Sequence, residues 1–312
     1  MIGHSPAFRT VLALIEKMAR YDAPVLIEGE TGTGKELAAR AIHYGGRRRD
    51  RPFVPVNCGA LPETLVENEL FGHRPGAYTD ARTEQAGLVA LADTGTLFLD
   101  EIETLAPRAQ VALLRFLQDH EYRPLGGRTP QRADVRIIAA TNVEPHRLVS
   151  RGTFRQDLLY RLDMMHLRLP PLRERAGDAA LLADHFLDVA SARFKVSRRP
   201  LHPDTLGWFA TYEWPGNVRE LENVVCRGLL LTEDPVIDLS GPGGAGPAPD
   251  LELGSYRASK AQAVAAFELR FLTQLMQRTM GNVTVAASLV GTERRHLGRL
   301  LKKHGLHTQA RL

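Results

Sequence analysis

A glycine-rich loop that ends in lysine constrains this chain more than any other feature of its sequence. The loop GETGTGKE follows the apolar run VLIE and leads into the helical pattern LAARAIH. A GxxxxGK loop between a strand and a helix lets backbone N–H groups point at phosphate oxygens, and the helix N-terminus adds partial positive charge. The sequence therefore predicts a nucleotide site on an α/β fold. Its residues are Gly29, Glu30, Thr31, Gly32, Thr33, Gly34, Lys35 and Glu36.

Two side chains of this phosphate loop (residues 29–36) carry separate expectations. Lys35 is expected to reach the β and γ phosphates. Glu36 stands where such loops usually have Ser or Thr, so the customary hydroxyl ligand of Mg²⁺ is missing there. Thr31, Thr33 or a water molecule is left to replace it. A glycine-rich turn that binds no nucleotide is the alternative, which the combination of strand, spacing and lysine disfavours.

An acidic pair supplies the second half of the predicted site. The run GTLFLDE places Asp100 and Glu101 at the carboxyl end of a buried strand, where open α/β sheets bind their ligands. We expect Asp100 to hold Mg²⁺ through water, and Glu101 to orient and deprotonate the attacking water. The run RIIAATN ends in Asn142, which is placed to sense the γ-phosphate. The alternative for the acidic pair is a plain strand-capping feature.

The pattern of the chain divides it into four parts. Over residues 1–170, the apolar runs PVLIEG, PFVPVN, GTLFLD and VRIIAATN alternate with amphipathic segments, which predicts a parallel sheet with crossover helices. The patterns DAALLADHFLDVASARF and NVRELENVVCRGLLL predict a helical lid subdomain over residues 171–240. Residues 241–256 begin with GPGGAGPAPD and are predicted to be a linker. Residues 257–312 are predicted to form a small all-α domain.

Composition excludes several classes of protein. Of the 312 residues, 44% are hydrophobic and 24% are charged, so the chain can bury a core. No apolar run approaches the roughly 18 residues that span a bilayer, and the first residues do not resemble a secretory signal. Cys58 and Cys226 lie far apart without metal-ligand spacing, which favours two buried thiols over a disulfide or a zinc site. We therefore expect a cytoplasmic protein.

The C-terminal part is strongly basic. Residues 257–312 contain ten lysines and arginines against two acids, a net charge of +8, which leaves −4 for residues 1–256. Such an asymmetry is typical of a nucleic-acid-binding appendix, although a solvated basic helical face is the alternative.

Residues 281–306 predict two helices around a tight turn at Gly291. In the first helix Val285, Ala286 and Leu289 are expected to form a packed face. In the second, leucines recur at i, i+3 and i+4 and are expected to point inward, at Leu297, Leu300 and Leu301. The remaining polar face is predicted to bind DNA, Arg through guanine edges and Lys through phosphates. Its residues are Arg294, Arg295, His296, Arg299, Lys302 and Lys303.

The motifs then identify a known family. The string ELFGHRPGAYTDA resembles the ELFGH…GAFTGA loop of bacterial enhancer-binding proteins, the sigma-54-dependent transcription activators. The segments GHSPAF, GETGTGKE, VNCGALPE, GTLFLDE, FRQDLLYRL, LPPLRERAGD and WPGNVRELEN also resemble family segments, in the family's order. The basic end resembles the Fis-type helix-turn-helix of many members. The resemblance implies an AAA+ ATPase that uses ATP and Mg²⁺ in a self-assembled ring, usually a hexamer, with dimeric DNA-binding domains.

The resemblance also implies roles for particular residues. Asn57 matches a switch residue that engages the catalytic Glu101. Arg155 and Arg161 match arginines that are donated across the subunit interface, and Arg219 matches the second sensor on the lid. The sigma-54 contact loop corresponds to Gly76, Ala77, Tyr78, Thr79, Asp80 and Ala81.

This loop departs from the family pattern at two positions. Tyr78 replaces the usual Phe and keeps the aromatic ring. Asp80 replaces a Gly; Asp tolerates positive φ better than most residues, but it adds negative charge near the tip that should meet sigma-54. Thr79, the contact residue of the family, is retained.

The first hypothesis is therefore an ATP-dependent activator that binds upstream DNA and remodels the closed promoter complex of sigma-54 RNA polymerase. The alternative is a DNA-binding regulator or repressor, in which the AAA+ fold serves nucleotide-gated assembly without engaging sigma-54. An ATPase that remodels another protein is disfavoured by the loop and the basic end. The ATPase pattern starts almost at Met1, without an N-terminal regulatory domain, so a regulatory protein in trans, expression level or a domain outside this sequence would provide control.

Overall fold

A computed structural model describes residues 1–62, 65–77, 83–239, 271–272, 275–276, 279 and 282–303. The chain divides into two compact units, Met1–Gly246 and Pro247–Leu312. The predicted linker, residues 241–256, lies outside the described residues. Within the described ranges, no helix is both long and apolar enough to span a membrane.

The first unit combines nine strands with ten helices among its described residues. The strands are β1 (Val25–Glu28), β2 (Phe53–Asn57), β3 (Gly72–His73), β4 (Gln85–Ala86), β5 (Thr96–Asp100), β6 (Glu121–Tyr122), β7 (Gln131–Arg132), β8 (Arg136–Thr141) and β9 (Met165–Arg168). The helices are α1 (Pro6–Ala19), α2 (Lys35–Tyr44), α3 (Val66–Phe71), α4 (Leu88–Leu91), α5 (Pro107–Asp119), α6 (Pro145–Ser150), α7 (Gln156–Leu162), α8 (Asp178–Phe194), α9 (Pro203–Thr211) and α10 (Asn217–Leu231).

Five strands form one parallel sheet in the order β2-β5-β8-β1-β9. The fold class is thus confirmed, with one edge strand more than the apolar runs indicated. Strand β9 escaped prediction because only Leu167 of its four residues is buried, so the segment MHLR lacks a continuous apolar run. The pairs β3–β4 and β6–β7 form two small antiparallel hairpins outside this sheet.

Both faces of the sheet are covered by helices, which explains why its central strands are apolar throughout. Side chains alternate between the two faces, so Leu97 and Leu99 of β5 join a core that includes residues of α3, α5 and α7. Phe98, between them, packs instead with residues of α1 and α2. The three side chains are at most 1% exposed.

The strand order also positions the site. Strands β2, β5, β8 and β1 are neighbours, and all run in the same direction. Asn57 and Asp100 end β2 and β5 and are partners in register. Asn142 follows β8, and the phosphate loop follows β1. Because carboxyl ends of parallel strands meet at one edge, these four features share that edge.

The helical part contains α8, α9 and α10, which pack around a separate core. Helices α8 and α10 have the bounds that their sequence patterns predicted, and the shorter α9 lies within the segment that was predicted to be helical as a whole. Trp214 is 1% exposed, and it packs against an aromatic group that includes Trp208 and Phe209. Its indole Nε1 donates to the Phe209 carbonyl at 3.1 Å.

The second unit shows two helices around the predicted turn, α11 (Val283–Leu289) and α12 (Arg294–Lys303), with Gly291 at φ +63°. The inward leucines are confirmed, since Leu297 and Leu301 are buried and Leu300 packs partly against them. The prediction of which residues of α11 pack inward is wrong for two of its three residues, Val285 and Leu289.

The buried residues of α11 are Ala286 and Ala287, whereas Val285 is 52% and Leu289 is 64% exposed. Val283, Ala286, Ala287 and Val290 recur at i, i+3, i+4 and i+7 and form the face that packs on the small core. The small alanines, rather than the larger apolar residues, therefore set the face of α11.

Candidate active site

The phosphate loop has the backbone that its glycines predict. Gly32 and Gly34 have φ of +81° and +95°, and α2 begins at Lys35. The buried Lys35 Nζ donates to the carbonyl oxygens of Gly29 at 2.8 Å and Glu30 at 3.3 Å. The ammonium is thus held inside the loop beside the helix N-terminus, where phosphate oxygens bind.

Charges at the carboxyl end of β5 act on this lysine. Burial lowers the pKa of Lys35 below its ordinary value, while the negative charges of Asp100, Glu103 and Glu101 oppose that shift. Arg219 of the lid also lowers this pKa, and a Cβ atom on Gly32 would lie 3.2 Å from the Arg219 Cβ. The structure therefore brings Lys35, the acidic pair and the predicted second sensor together.

Glu101 has an unusual backbone. Its φ of 54° and ψ of 46° lie in the left-handed region, which non-glycine residues rarely adopt outside constrained sites. Its N–H donates to the Asp100 Oδ1 at 3.0 Å. A Cβ atom on Gly59 would lie 2.5 Å from the Glu101 Oε2 and 3.3 Å from the Asn57 Oδ1. The side chains of Asn57 and Glu101 thus converge over Gly59, and a larger residue at 59 would displace them.

The predicted switch contact itself is not formed. The Asn57 Oδ1 accepts the N–H of Ala60 at 3.1 Å. No hydrogen bond between described residues joins Asn57 to Glu101. The role of Asn57 as a switch stays a prediction.

Glu103 is a site residue that the sequence analysis missed. Its Oε1 accepts the N–H of Asn142, the predicted sensor, at 3.3 Å. Its Oε2 is buried and has no hydrogen-bond partner among the described residues. The only sequence signal was its position two residues after Glu101, in the short 3-10 turn Ile102–Thr104.

We expect Glu103→Ala to lower kcat for ATP by about fivefold, because one hydrogen bond of about 1 kcal/mol would no longer hold Asn142 in place. Glu103→Gln keeps an oxygen that can accept from Asn142, so we expect it to retain most of the activity. Steady-state phosphate release measures both variants. Equal losses in the two would contradict a role through this acceptor.

The two predicted interface arginines lie at the surface. Arg155 precedes α7 and is 48% exposed; its guanidinium pairs with Asp157 at 2.7 Å, and this carboxylate raises the pKa of Arg155. Arg161 lies in the last turn of α7 and is also exposed. Tyr160 and Met164 beside it are 65% and 69% exposed. Helix α7 and the residues that flank it thus present basic and apolar groups to the outside.

The predicted sigma-54 contact loop is described only at its start, at Gly76 and Ala77. Tyr78, Thr79, Asp80 and Ala81 lie outside the described residues. Below the loop, Arg74 pairs with Glu84 across the β3–β4 hairpin.

A second segment supports the base of this loop. The Leu125 N–H donates to the Gly72 carbonyl at 2.8 Å, and the Arg74 N–H donates to the Leu125 carbonyl at 2.9 Å. A Cβ atom on Gly126 would lie 3.0 Å from the Ala77 Cβ. The base of the contact loop is therefore ordered by contacts with the chain after β6.

The six predicted DNA-binding side chains all lie on α12 and are exposed. Both cysteines were expected to be buried, and the structure buries one of them fully. Cys58 is buried, and burial raises its pKa to about 12, whereas Cys226 is only half-buried. Neither cysteine has the low thiol pKa that would favour a reactive thiolate.

A parallel sheet with a lysine phosphate loop after β1, an acidic pair at the end of β5 and a helical lid defines an AAA+ ATPase. A family model for the Sigma-54 interaction domain matches residues 1–168, and a model for the AAA+ ATPase lid domain matches residues 173–241. The chain belongs to the sigma-54-dependent transcription activators, the bacterial enhancer-binding proteins.

Individual relatives agree. The regulatory protein AtoC of Escherichia coli is 40% identical over 312 residues, covering 98% of this chain and 68% of AtoC. NtrC of Salmonella typhimurium is 41% identical over 330 residues, covering 98% of this chain and 70% of NtrC. Crystal structures of Brucella abortus NtrX with ADP and with ATP are similar at a TM-score of 0.73 and 32% identity, covering 98% of this chain and 69% of NtrX. The protein is accordingly an ATPase that activates sigma-54-dependent transcription.

Proposed function

We propose that subunits of this protein form a ring, bind DNA upstream of a promoter, and use ATP hydrolysis to move residues 76–81 against sigma-54. The closed promoter complex is thereby remodelled. The observation that carries this proposal is the shared sheet edge, where Asn57 lies beside Asp100 and Glu101 and the charges of that acidic pair act on Lys35. The chain runs from Asn57 through α3 into the contact loop. The same short segment thus links the hydrolytic residues to the loop.

The residues at this edge fit a Mg²⁺–ATP complex. The loop offers a buried ammonium and backbone N–H groups to phosphate, and Asp100 offers a carboxylate at the strand end. Bound Mg²⁺ supplies charge that offsets the negative charge developing on the phosphate oxygens. In this proposal Asp100 holds the ion through water, and the orphaned Oε2 of Glu103 adds negative charge nearby. Glu101 takes the proton of the attacking water, whose oxygen bonds to the γ-phosphorus while the bond from that phosphorus to the β–γ bridging oxygen breaks, so that ADP and phosphate are the products.

The ring completes the site. Arg155 and Arg161 are exposed at the surface. In this proposal each acts on the nucleotide of a neighbouring subunit. Guanidinium groups delivered in trans stabilise charge in the transition state of phosphoryl transfer. The exposed Tyr160 and Met164 beside them supply apolar area for a subunit contact. Family resemblance favours a hexamer.

The basic unit provides the tether to DNA. Helix α12 buries Leu297 and Leu301 and exposes its cationic residues, which suits a recognition helix in the major groove. Dimers of this unit would read half-sites about 34 Å apart, or a multiple of that spacing. We place this activity in the cytoplasm. We also keep the domains that the sequence predicts, namely an α/β ATPase subdomain, a helical lid, a linker and a DNA-binding domain.

Asp80 favours one alternative, a DNA-binding regulator whose ATPase does not engage sigma-54. Formation of open complexes on a sigma-54 promoter separates the two functions. With ATP, the purified protein is expected to convert closed complexes into heparin-resistant open ones, and a non-hydrolysable ATP analogue is expected to fail. Site-specific DNA binding and normal ATP hydrolysis without open complexes would establish the alternative.

A further inference from the structure

A polar cluster outside the predicted catalytic set ties the phosphate loop to the lid. Arg173 lies in the short turn Leu172–Glu174, between β9 and α8. Its two terminal nitrogens donate to the two carboxylate oxygens of Glu30, at 2.6 and 2.9 Å. This bidentate pairing fixes geometry as well as charge. It lowers the pKa of Glu30, so the pair is charged at neutral pH.

Asn217 joins the same cluster from the lid. It is fully buried at the start of α10 and has a left-handed φ of 52°. Its Nδ2 donates to the Glu30 Oε2 at 3.0 Å and to the Thr31 carbonyl at 3.1 Å. Its Oδ1 accepts the N–H of Leu172 at 2.8 Å. One amide therefore contacts the phosphate loop, the connecting turn and the lid.

The backbones touch at the same place. The Val218 N–H donates to the Gly32 carbonyl at 3.1 Å. A Cβ atom on Gly32 would lie 2.2 Å from the Gly216 carbonyl oxygen, so only glycine permits this approach. The backbone of the lid is thus in direct contact with the tip of the phosphate loop at Gly32.

We propose that Glu30, Arg173 and Asn217, here called the Glu30 latch, are positioning residues that make the lid respond to phosphate in the loop. The inference rests on the proposed nucleotide site and adds the route by which occupancy reaches the lid. Lys35 donates to the backbone carbonyl of Glu30 at 3.3 Å, and a phosphate bound in the loop competes with that oxygen for the ammonium. A change in this hydrogen bond acts on the backbone that carries the Glu30 side chain, to which Arg173 and Asn217 donate.

The protein contains its own reporter for this movement. Its two tryptophans are Trp208 and Trp214, both in the lid. Trp214 is buried three residues before Asn217. A displacement of the latch therefore changes the surroundings of an indole, and ADP serves as a probe that carries a β-phosphate without turnover.

The test compares Glu30→Gln and Arg173→Gln with the control Glu213→Gln. Glu213 is 81% exposed, and its carboxylate lies 3.8 Å from the Arg173 Nε, whereas Glu30 accepts from the two terminal nitrogens. Calorimetry measures ADP affinity, and tryptophan emission at saturating ADP measures the response of the lid. Because Glu30 and Arg173 are partly exposed, both variants are expected to fold.

We expect ADP to change the emission of the wild type and of Glu213→Gln. In both latch variants the change falls at least about threefold, while the ADP dissociation constant rises by no more than about fivefold, the effect of a partly exposed ion pair. For ATP hydrolysis, kcat falls more than KM rises. Arg173→Lys keeps the charge without the bidentate geometry and gives an intermediate response.

Two results would overturn the latch. One is a full emission change in both latch variants; the other is an unchanged emission in a wild type that binds ADP. A wild type that does not bind ADP in calorimetry would overturn the nucleotide site itself, and the latch with it.

Discussion

Glu101→Gln is expected to reduce ATP turnover by about 10³-fold while ATP binding is retained. The left-handed backbone at Glu101 directs its side chain over Gly59, beside Asn57. Glutamine has the same shape, but its amide cannot accept the proton of the attacking water. General-base catalysis contributes roughly 10²–10⁴-fold, which sets the scale of the loss.

Phosphate release measures turnover, and calorimetry with ATP measures binding. Glu16→Gln is a matched control, because Glu16 is exposed on α1 and the substitution makes the same chemical change away from the site. Undiminished hydrolysis in Glu101→Gln would show that another group acts as the base. Loss of binding together with hydrolysis would show instead that the substitution damaged the phosphate loop.

Arg155→Ala and Arg161→Ala are the second pair of substitutions with a large expected effect. If each guanidinium stabilises the transition state in a neighbouring subunit, its removal costs about 10³-fold or more in kcat. Arg151→Ala serves as the control, since Arg151 is also exposed, at the end of α6. Breakage of the surface pair with Asp157 costs little stability, so the Arg155 variant should remain folded.

Mixing of variants distinguishes action in trans from action in cis. Arg155→Ala subunits keep Glu101, and Glu101→Gln subunits keep Arg155. Mixed rings therefore contain interfaces at which an intact Glu101 meets an intact Arg155. We expect the mixture to hydrolyse ATP although each variant alone does not. No recovery, in mixtures shown by gel filtration to form common rings, would contradict a site that is shared between subunits.

Local patterns in the sequence were sufficient to predict the catalytic edge of the sheet. Asp100 and Glu101 end a run of apolar residues, and the loop before Lys35 has glycines where positive φ is required. Parallel strands place their carboxyl ends together, so the adjacency of these groups follows from the fold class. The edge strand β9 was missed because its burial depends on its neighbour β1 rather than on its own apolar content.

The contacts of the Glu30 latch could not be predicted from local sequence patterns, because they join residues far apart in the chain. Glu30 is separated by 143 residues from Arg173 and by 187 from Asn217. Its sequence context predicted a phosphate loop, and nothing in that context indicated a partner in the lid. Glu103 is similar, since its contact with Asn142 spans 39 residues. On α11, alanines took the buried positions because close helix packing favours small side chains there.

In the proposed mechanism, ATP hydrolysis in this protein acts on sigma-54 through residues 76–81. The most direct test of this mechanism is binding of the purified protein to sigma-54 in the presence of ADP and a metal fluoride, which mimics the transferring phosphoryl group. Gel filtration with labelled sigma-54 detects the trapped complex. We predict a stable complex that is lost in Thr79→Ala, which would also show that Asp80 is compatible with engagement. Normal ATP hydrolysis without any complex, when a known activator traps the same sigma-54 preparation, would contradict the account.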